Sequence, residues 1–124
     1  MGIGELFSTY GENYLQALLQ TWSMTAVSFA CAMAIALAIT VFRVSPIKPL
    51  RITGDLYVQI FRNIPGVSLL VIITYALPYL GLTLDYKTCA MVTITMVVAA
   101  FASENLMTGI NTIGVGQIEA ARSI

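Results

Sequence analysis

Charged residues are spaced so far apart along this chain that its apolar positions fall in blocks, not in the alternating or three-and-four rhythm of a half-buried element. Residues 13–42 run for 30 positions without Asp, Glu, Lys or Arg, and the apolar centre of that run is 22–42. As a helix that centre is about 31 Å long, the thickness of a bilayer's hydrocarbon layer. A second uncharged run covers 63–84, and a third covers 88–103, where Glu104 interrupts it. The pattern predicts an all-α membrane protein with three transmembrane helices at about 22–42, 64–84 and 88–106, followed by a cytoplasmic segment at 107–124. The first run has no cationic flank before it, is too long for a signal-peptide core and closes on no small-residue cleavage pattern, so it reads as a span.

Between the first two runs the rhythm changes. Arg51, Asp55, Gln59 and Arg62 recur at helical spacing, while Leu56, Tyr57, Ile60, Phe61 and Ile64 fall on the other side. This predicts an amphipathic helix over 46–63 lying in the inner membrane interface, with Pro65 in the first turn of the span that follows. Pro78 and Gly81 interrupt the second run, so that span either kinks beside a lined pathway or ends early in a short external turn. In the first span Ala26, Ala30, Ala34 and Ala38 form a small-residue stripe, with Ala32, Ala36 and Thr40 beside it, the pattern that lets helices approach closely in lipid. After Glu104 the chain turns polar and glycine-rich, with Thr108, Gly109, Asn111, Thr112, Gly114 and Gly116, before the helix formers of 117–124. The glycines are expected to break the third helix and the alanines to begin a new one.

Composition supports the bilayer as solvent: 58% of residues are hydrophobic, 10% are charged and the mean hydropathy is +0.86, against about 25% charged in a soluble domain. Six Lys and Arg balance six Asp and Glu, which argues against a nucleic-acid partner. There is no His, and the cysteines at 31 and 89 lie within apolar runs. A zinc site, a Cys/His nucleophile pair and a disulfide framework are thereby excluded. By position the charges are asymmetric. Arg43, Lys48, Arg51, Arg62 and Arg122 fall on one side of the predicted spans and Lys87 on the other. Cations collect at the cytoplasmic face, so the N-terminus is expected outside and the C-terminus inside. Tyr10, Tyr14 and Trp22, with Tyr75, Tyr79 and Tyr86, then sit at the outer interface. Glu104 stands at the inner end of a span with no cation within a helical turn. An ionisable residue there is a candidate functional site, and Arg62 is its candidate partner.

These residues resemble a family. The stretch "GQIEAARSI" at 116–124, preceded by "GINTIGV" and "AAFASE", together with "YVQIFRNIP" at 57–65 and the "LPYLGL" turn, is similar to the permease subunits of bacterial ABC importers for polar amino acids. The resemblance runs from about Trp22 to the end. It implies that Gly116, Gln117, Glu119, Ala120 and Ala121 take the positions of the cytoplasmic EAA loop, a short helix that docks in a groove of the ATPase subunit. It places Arg62 and Pro65 in the interface-helix block and Glu104 at an acidic position of the third span. It also implies a multi-pass protein of the bacterial inner membrane that is not itself an enzyme and carries no cofactor, ATP and Mg²⁺ being bound by the ATPase partner. An extracytoplasmic amino-acid-binding protein and a second permease copy or paralogue complete the expected partners. Residues 1–124 would form one truncated permease domain holding three of the family's five helices and ending within the coupling loop. Where the family often has an Arg, this chain has Met107, which sharpens the case for Arg62 as the partner of Glu104; Gln59, Asn63, Ile64, Gly114 and Val115 also depart from the pattern. A small membrane scaffold or regulatory subunit that binds a partner through the 46–63 helix is the competing expectation.

Overall fold

The structure, a computed structural model, describes residues 2–124. Its elements are helix α1 (Ile3–Val44), α2 (Lys48–Asn63), α3 (Gly66–Tyr75), a single 3₁₀ turn (Leu77–Leu80), α4 (Tyr86–Asn111) and α5 (Val115–Arg122). Among the described residues there is no strand.

Helix α1 is far longer than the apolar run that predicts it. Residues 5–21 contain no proline, and good helix formers such as Glu12, Leu15, Gln16, Ala17 and Leu18 carry the helix back to Ile3. The result is 42 residues, about 63 Å of unbroken helix. The second apolar run behaves in the opposite way. Pro65 has no N–H to continue α2 and becomes the N-cap of α3, and α2 meets α3 at 97°. Helix α3 then ends at Tyr75 and Pro78 lies in the 3₁₀ turn, so the helix stops before the proline instead of kinking at it. Gly81 completes the turn at φ 81°, a conformation that side-chain-bearing residues rarely adopt. Asp85 caps α4: its carboxylate accepts hydrogen bonds from the Thr88 hydroxyl and N–H. These bonds hold the Asp85 carboxyl below the usual carboxylate range.

Helices α1 and α4 pack side by side and run in the same direction. The Thr95 hydroxyl donates to the Ser28 carbonyl at 3.4 Å, and further along the Thr40 hydroxyl donates to the Ser103 hydroxyl at 3.1 Å. Residues 45–85 therefore return the chain from the far end of α1 to the near end of α4. The seam between the two is made of small side chains: Ser28, Ala32, Ala36 and Thr40 of α1 face Ala99, Ala100 and Ser103 of α4, all buried. Of the two stripes expected in α1, the seam uses the one through Ala32, Ala36 and Thr40; Ala26, Ala30, Ala34 and Ala38 face outward. On the other side of α4, Leu69 and Ile73 of α3 pack on Cys89, with Phe61, Leu77 and Met96 around them.

Helix α2 lies across α1 and α4 toward their C-terminal ends. Its closest approach is at Gly54, where an added Cβ would sit 2.7 Å from Arg43 Cγ and 3.2 Å from the Ile39 carbonyl. The apolar face predicted for α2 is divided: Tyr57 and Phe61 pack inward with their rings 4.5 Å apart and Ile64 is half-buried, whereas Leu56 and Ile60 remain exposed, as does Ile52 one turn before Leu56.

Two substitutions test this packing. Gly54→Val is expected to cost about 2–3 kcal/mol, because a backbone carbonyl and an anchored side chain must both give way; thermal unfolding in detergent measures it. The Ser28 hydroxyl is buried and finds no hydrogen-bond partner among the described residues. Ser28→Ala is accordingly expected to leave stability unchanged or raise it by up to about 1 kcal/mol; a marked loss would show that the hydroxyl is satisfied.

Candidate functional site

Four charged side chains from three helices meet where α2 crosses α1 and α4 toward their C-terminal ends. Arg43, in the last turn of α1, sends Nε to Asp55 Oδ1 of α2 at 2.8 Å and Nη2 to Glu104 Oε2 of α4 at 2.9 Å. Its Nη1 reaches the Ser103 hydroxyl at 3.5 Å. The other oxygen of Glu104 is 3.4 Å from Nη1 of Arg62, near the end of α2. The Arg62 guanidinium also sits 5.5 Å from the centre of the Phe101 ring, a separation suited to cation–π attraction. The chain of contacts is thus Asp55–Arg43–Glu104–Arg62, two cations against two carboxylates.

Position along the helices explains the meeting. Asp55 and Arg62 lie on the polar stripe of α2, and Gly54 lets that helix close onto Arg43. Ser103 and Glu104 are neighbours on α4, one turned into the α1 seam and the other toward its edge. The side chain of Arg43 is only 12% exposed, against 35% for Glu104 and 41% for Arg62. The Arg43–Glu104 contact is both shorter and drier than the Arg62–Glu104 contact, so Arg43 is the principal partner of Glu104. The expected Arg62 pairing is present, as the second partner. Nearby, the Tyr57 hydroxyl donates to the Met96 carbonyl at 2.9 Å, and burial pushes the pKa of its phenol up, which keeps it a donor.

Sequence reasoning singled out Arg62 and Glu104 but missed Arg43, which it counted only among the cytoplasmic cations. Two signals were available: an Asp on the polar stripe of α2, and a lone glycine beside it, which in a helix usually marks close packing.

The residues of the predicted coupling loop lie elsewhere. Helix α4 continues through Gly109 to Asn111, and the break falls at 112–114 with Gly114 as the N-cap of α5. Every residue from 108 to 124 is exposed, and among the described residues α5 packs on no other helix. On α5, Gly116, Gln117, Ala120 and Ala121 fall on one face, with Glu119 at its margin. Pro65 stands at the α2–α3 bend as the N-cap of α3. Among the described residues, no cluster of His, Cys, Asp or Glu could hold a metal ion.

No protein-family model matches the chain. Individual proteins do. It is 32% identical over 123 residues, 99% of this chain and 56% of the relative, to the probable glutamine ABC transporter permease protein GlnM of Bacillus subtilis. It is 34% identical over 96% of its length to the glutamate transport system permease protein GluC of Corynebacterium efficiens, covering 58% of that protein. With the L-cystine transport system permease protein TcyB of Bacillus subtilis it shares 35% identity over 84% of this chain and 44% of that one. Among solved structures, the crystal structure of an amino acid ABC transporter with histidines matches at a TM-score of 0.88 and 25% identity, over 94% of this chain and 54% of the other. The chain spans about half the length of the relatives it matches. Along nearly the whole of its own length, then, this chain belongs to the amino-acid ABC transporter permeases.

Proposed function

We propose that the chain is the membrane-embedded part of an importer for polar amino acids, lining part of the translocation path and receiving the motion of an ATPase through residues 107–124. The observation that carries this reading is α5. It is a short helix with small residues and one glutamine on a single face, held clear of the rest of the protein and joined by three residues to the inner end of α4. A surface of that kind fits a groove on a partner. Gly116, Ala120 and Ala121 allow close approach, Gln117 supplies hydrogen bonds, and Glu119 supplies one charge at the rim. The names of the relatives, which specify glutamine, glutamate and cystine, support the substrate class.

In this reading residues 1–124 act as one domain that crosses the membrane three times. Helices α1 and α4 supply two crossings in the same direction, and α3 with its 3₁₀ turn supplies the return. Helix α2, bent 97° from α3, lies along the inner interface, its exposed Ile52, Leu56 and Ile60 toward lipid. The N-terminus is outside and the C-terminus cytoplasmic, in the inner membrane of a bacterium. ATP and Mg²⁺ belong to the ATPase partner, which works on the path by contacting its two states differently. An extracytoplasmic binding protein delivers the amino acid, and a second permease copy or paralogue completes the path.

Uptake of labelled glutamine, glutamate, arginine and cystine into cells expressing the transporter tests the reading; accumulation of none of them would sink it. Glu119→Lys is expected to lower recovery of the ATPase with the membrane chain about fivefold, and undiminished recovery would remove the docking assignment. For orientation, a Cys introduced at Thr83 should react with an impermeant maleimide from outside and one at Ser123 only after the membrane is opened. The reverse pattern would invert the topology.

A further inference from the structure

Resting on the reading above, we infer that Arg43 is the positioning residue of the coupling machinery: it sets the register of α4, and through α4 the placement of α5, against α1 and α2. Its guanidinium is nearly enclosed and engaged on three sides, with a different nitrogen toward Asp55, Glu104 and Ser103. A planar fork with donors at fixed angles can address three such partners at once, whereas an ammonium is a single point charge. Glu104 is gripped from the other side as well, one oxygen by Arg43 of α1 and the other by Arg62 of α2. The segment of α4 so held is the last before its free end. Two turns beyond Glu104 the helix stops at Asn111, and three residues later α5 begins. Any displacement of α5 by a partner therefore pulls on Glu104 before it reaches the rest of the protein.

Charge is not needed here merely to hold helices together. The α1–α4 seam already does so with buried small side chains, and apolar packing often stabilises as well as a desolvated ion-pair chain or better. What the ion pairs add is register: the guanidinium meets Asp55 and Glu104 together at only one relative height of α2 and α4. Gly54 belongs to the same device, because its missing side chain leaves room for the stem of Arg43. Loss of the fork is thus expected to leave an assembled transporter in which the ATPase turns over without moving the path in step.

The experiment compares wild type, Arg43→Lys, Arg43→Gln and Asp55→Asn in the assembled transporter, reconstituted with its ATPase and binding protein, using glutamine, glutamate, arginine and cystine as probes. ATP hydrolysis and uptake are measured on the same preparation. Uptake per ATP is expected to fall about fivefold or more in Arg43→Lys, with assembly and hydrolysis largely kept, and to fall less in Asp55→Asn, where the Glu104 contact survives. A proportional fall in hydrolysis and uptake, or an unchanged ratio in Arg43→Lys, would overturn the assignment, since a merely structural or merely charge-supplying role predicts those results. If the Arg43 variants do not assemble, Asp55→Asn decides alone, and an unchanged ratio there overturns it. A wild-type chain that retains no ATPase overturns the functional reading and this inference with it. One that retains the ATPase but shows no effect at Arg43 overturns the inference only.

Discussion

A guanidinium shared between the carboxylates of two other helices is the constraint on which this arrangement turns. Outside the Asp55–Arg43–Glu104–Arg62 chain, the helices touch mainly through small and apolar side chains, which in lipid have no water to flee, with three hydrogen bonds between helices: Thr95 to the Ser28 carbonyl, Thr40 to Ser103 and Tyr57 to the Met96 carbonyl. Taking four charges to the edge of an apolar layer is costly unless each finds its opposite. The positions at which all four are paired are few, and they fix where α2 lies, how close it comes at Gly54 and which residues of α4 face inward. The 97° turn at Pro65 follows from this: once α2 is fastened across the ends of α1 and α4, α3 can pack on α4 only by turning sharply away.

The remaining polar groups are handled locally. Thr40 and Thr93 each donate to the carbonyl four residues back in their own helix, so that hydroxyls are carried into the apolar region without needing a neighbour. Thr40 adds a bond to Ser103 and ties the seam to the charged chain. Ser28, with no partner, is the exception among the described residues, and it sits a third of the way back along α1, far from the charges.

How much of this could be read from the sequence differed from one segment to the next. The uncharged runs located the first and third long helices, because a stretch with no charge over four turns or more, and no proline within it, has few other solutions. The helices extend beyond those runs: hydropathy marks where a helix meets lipid, while the helix itself continues to a breaker, and no proline lies between Ile3 and the first run. The amphipathic stripe of α2 was legible from its periodicity, as was the Glu104–Arg62 contact from the expectation that an acid at that depth needs a cation. Arg43 was not, since its role depends on α2 folding back over α1, a long-range fact that no local pattern encodes. The same holds for the stripe of α1 that forms the seam: Ala26, Ala30, Ala34 and Ala38 are as small as Ala32 and Ala36, and only the direction of α4 chooses between them.

The length of α1 has a mechanical side. A helix of 42 residues without a break is a stiff rod; this one is held against α4 from Ser28 to Arg43, while its first five turns carry Ile3, Phe7, Tyr10 and Tyr14 exposed. A change of about 10° in the direction of the held stretch sweeps the tip of the free part through about 6 Å, given the rise of a helix per residue. The free half of the rod thus points wherever its seated half is aimed, as a mast does from its step.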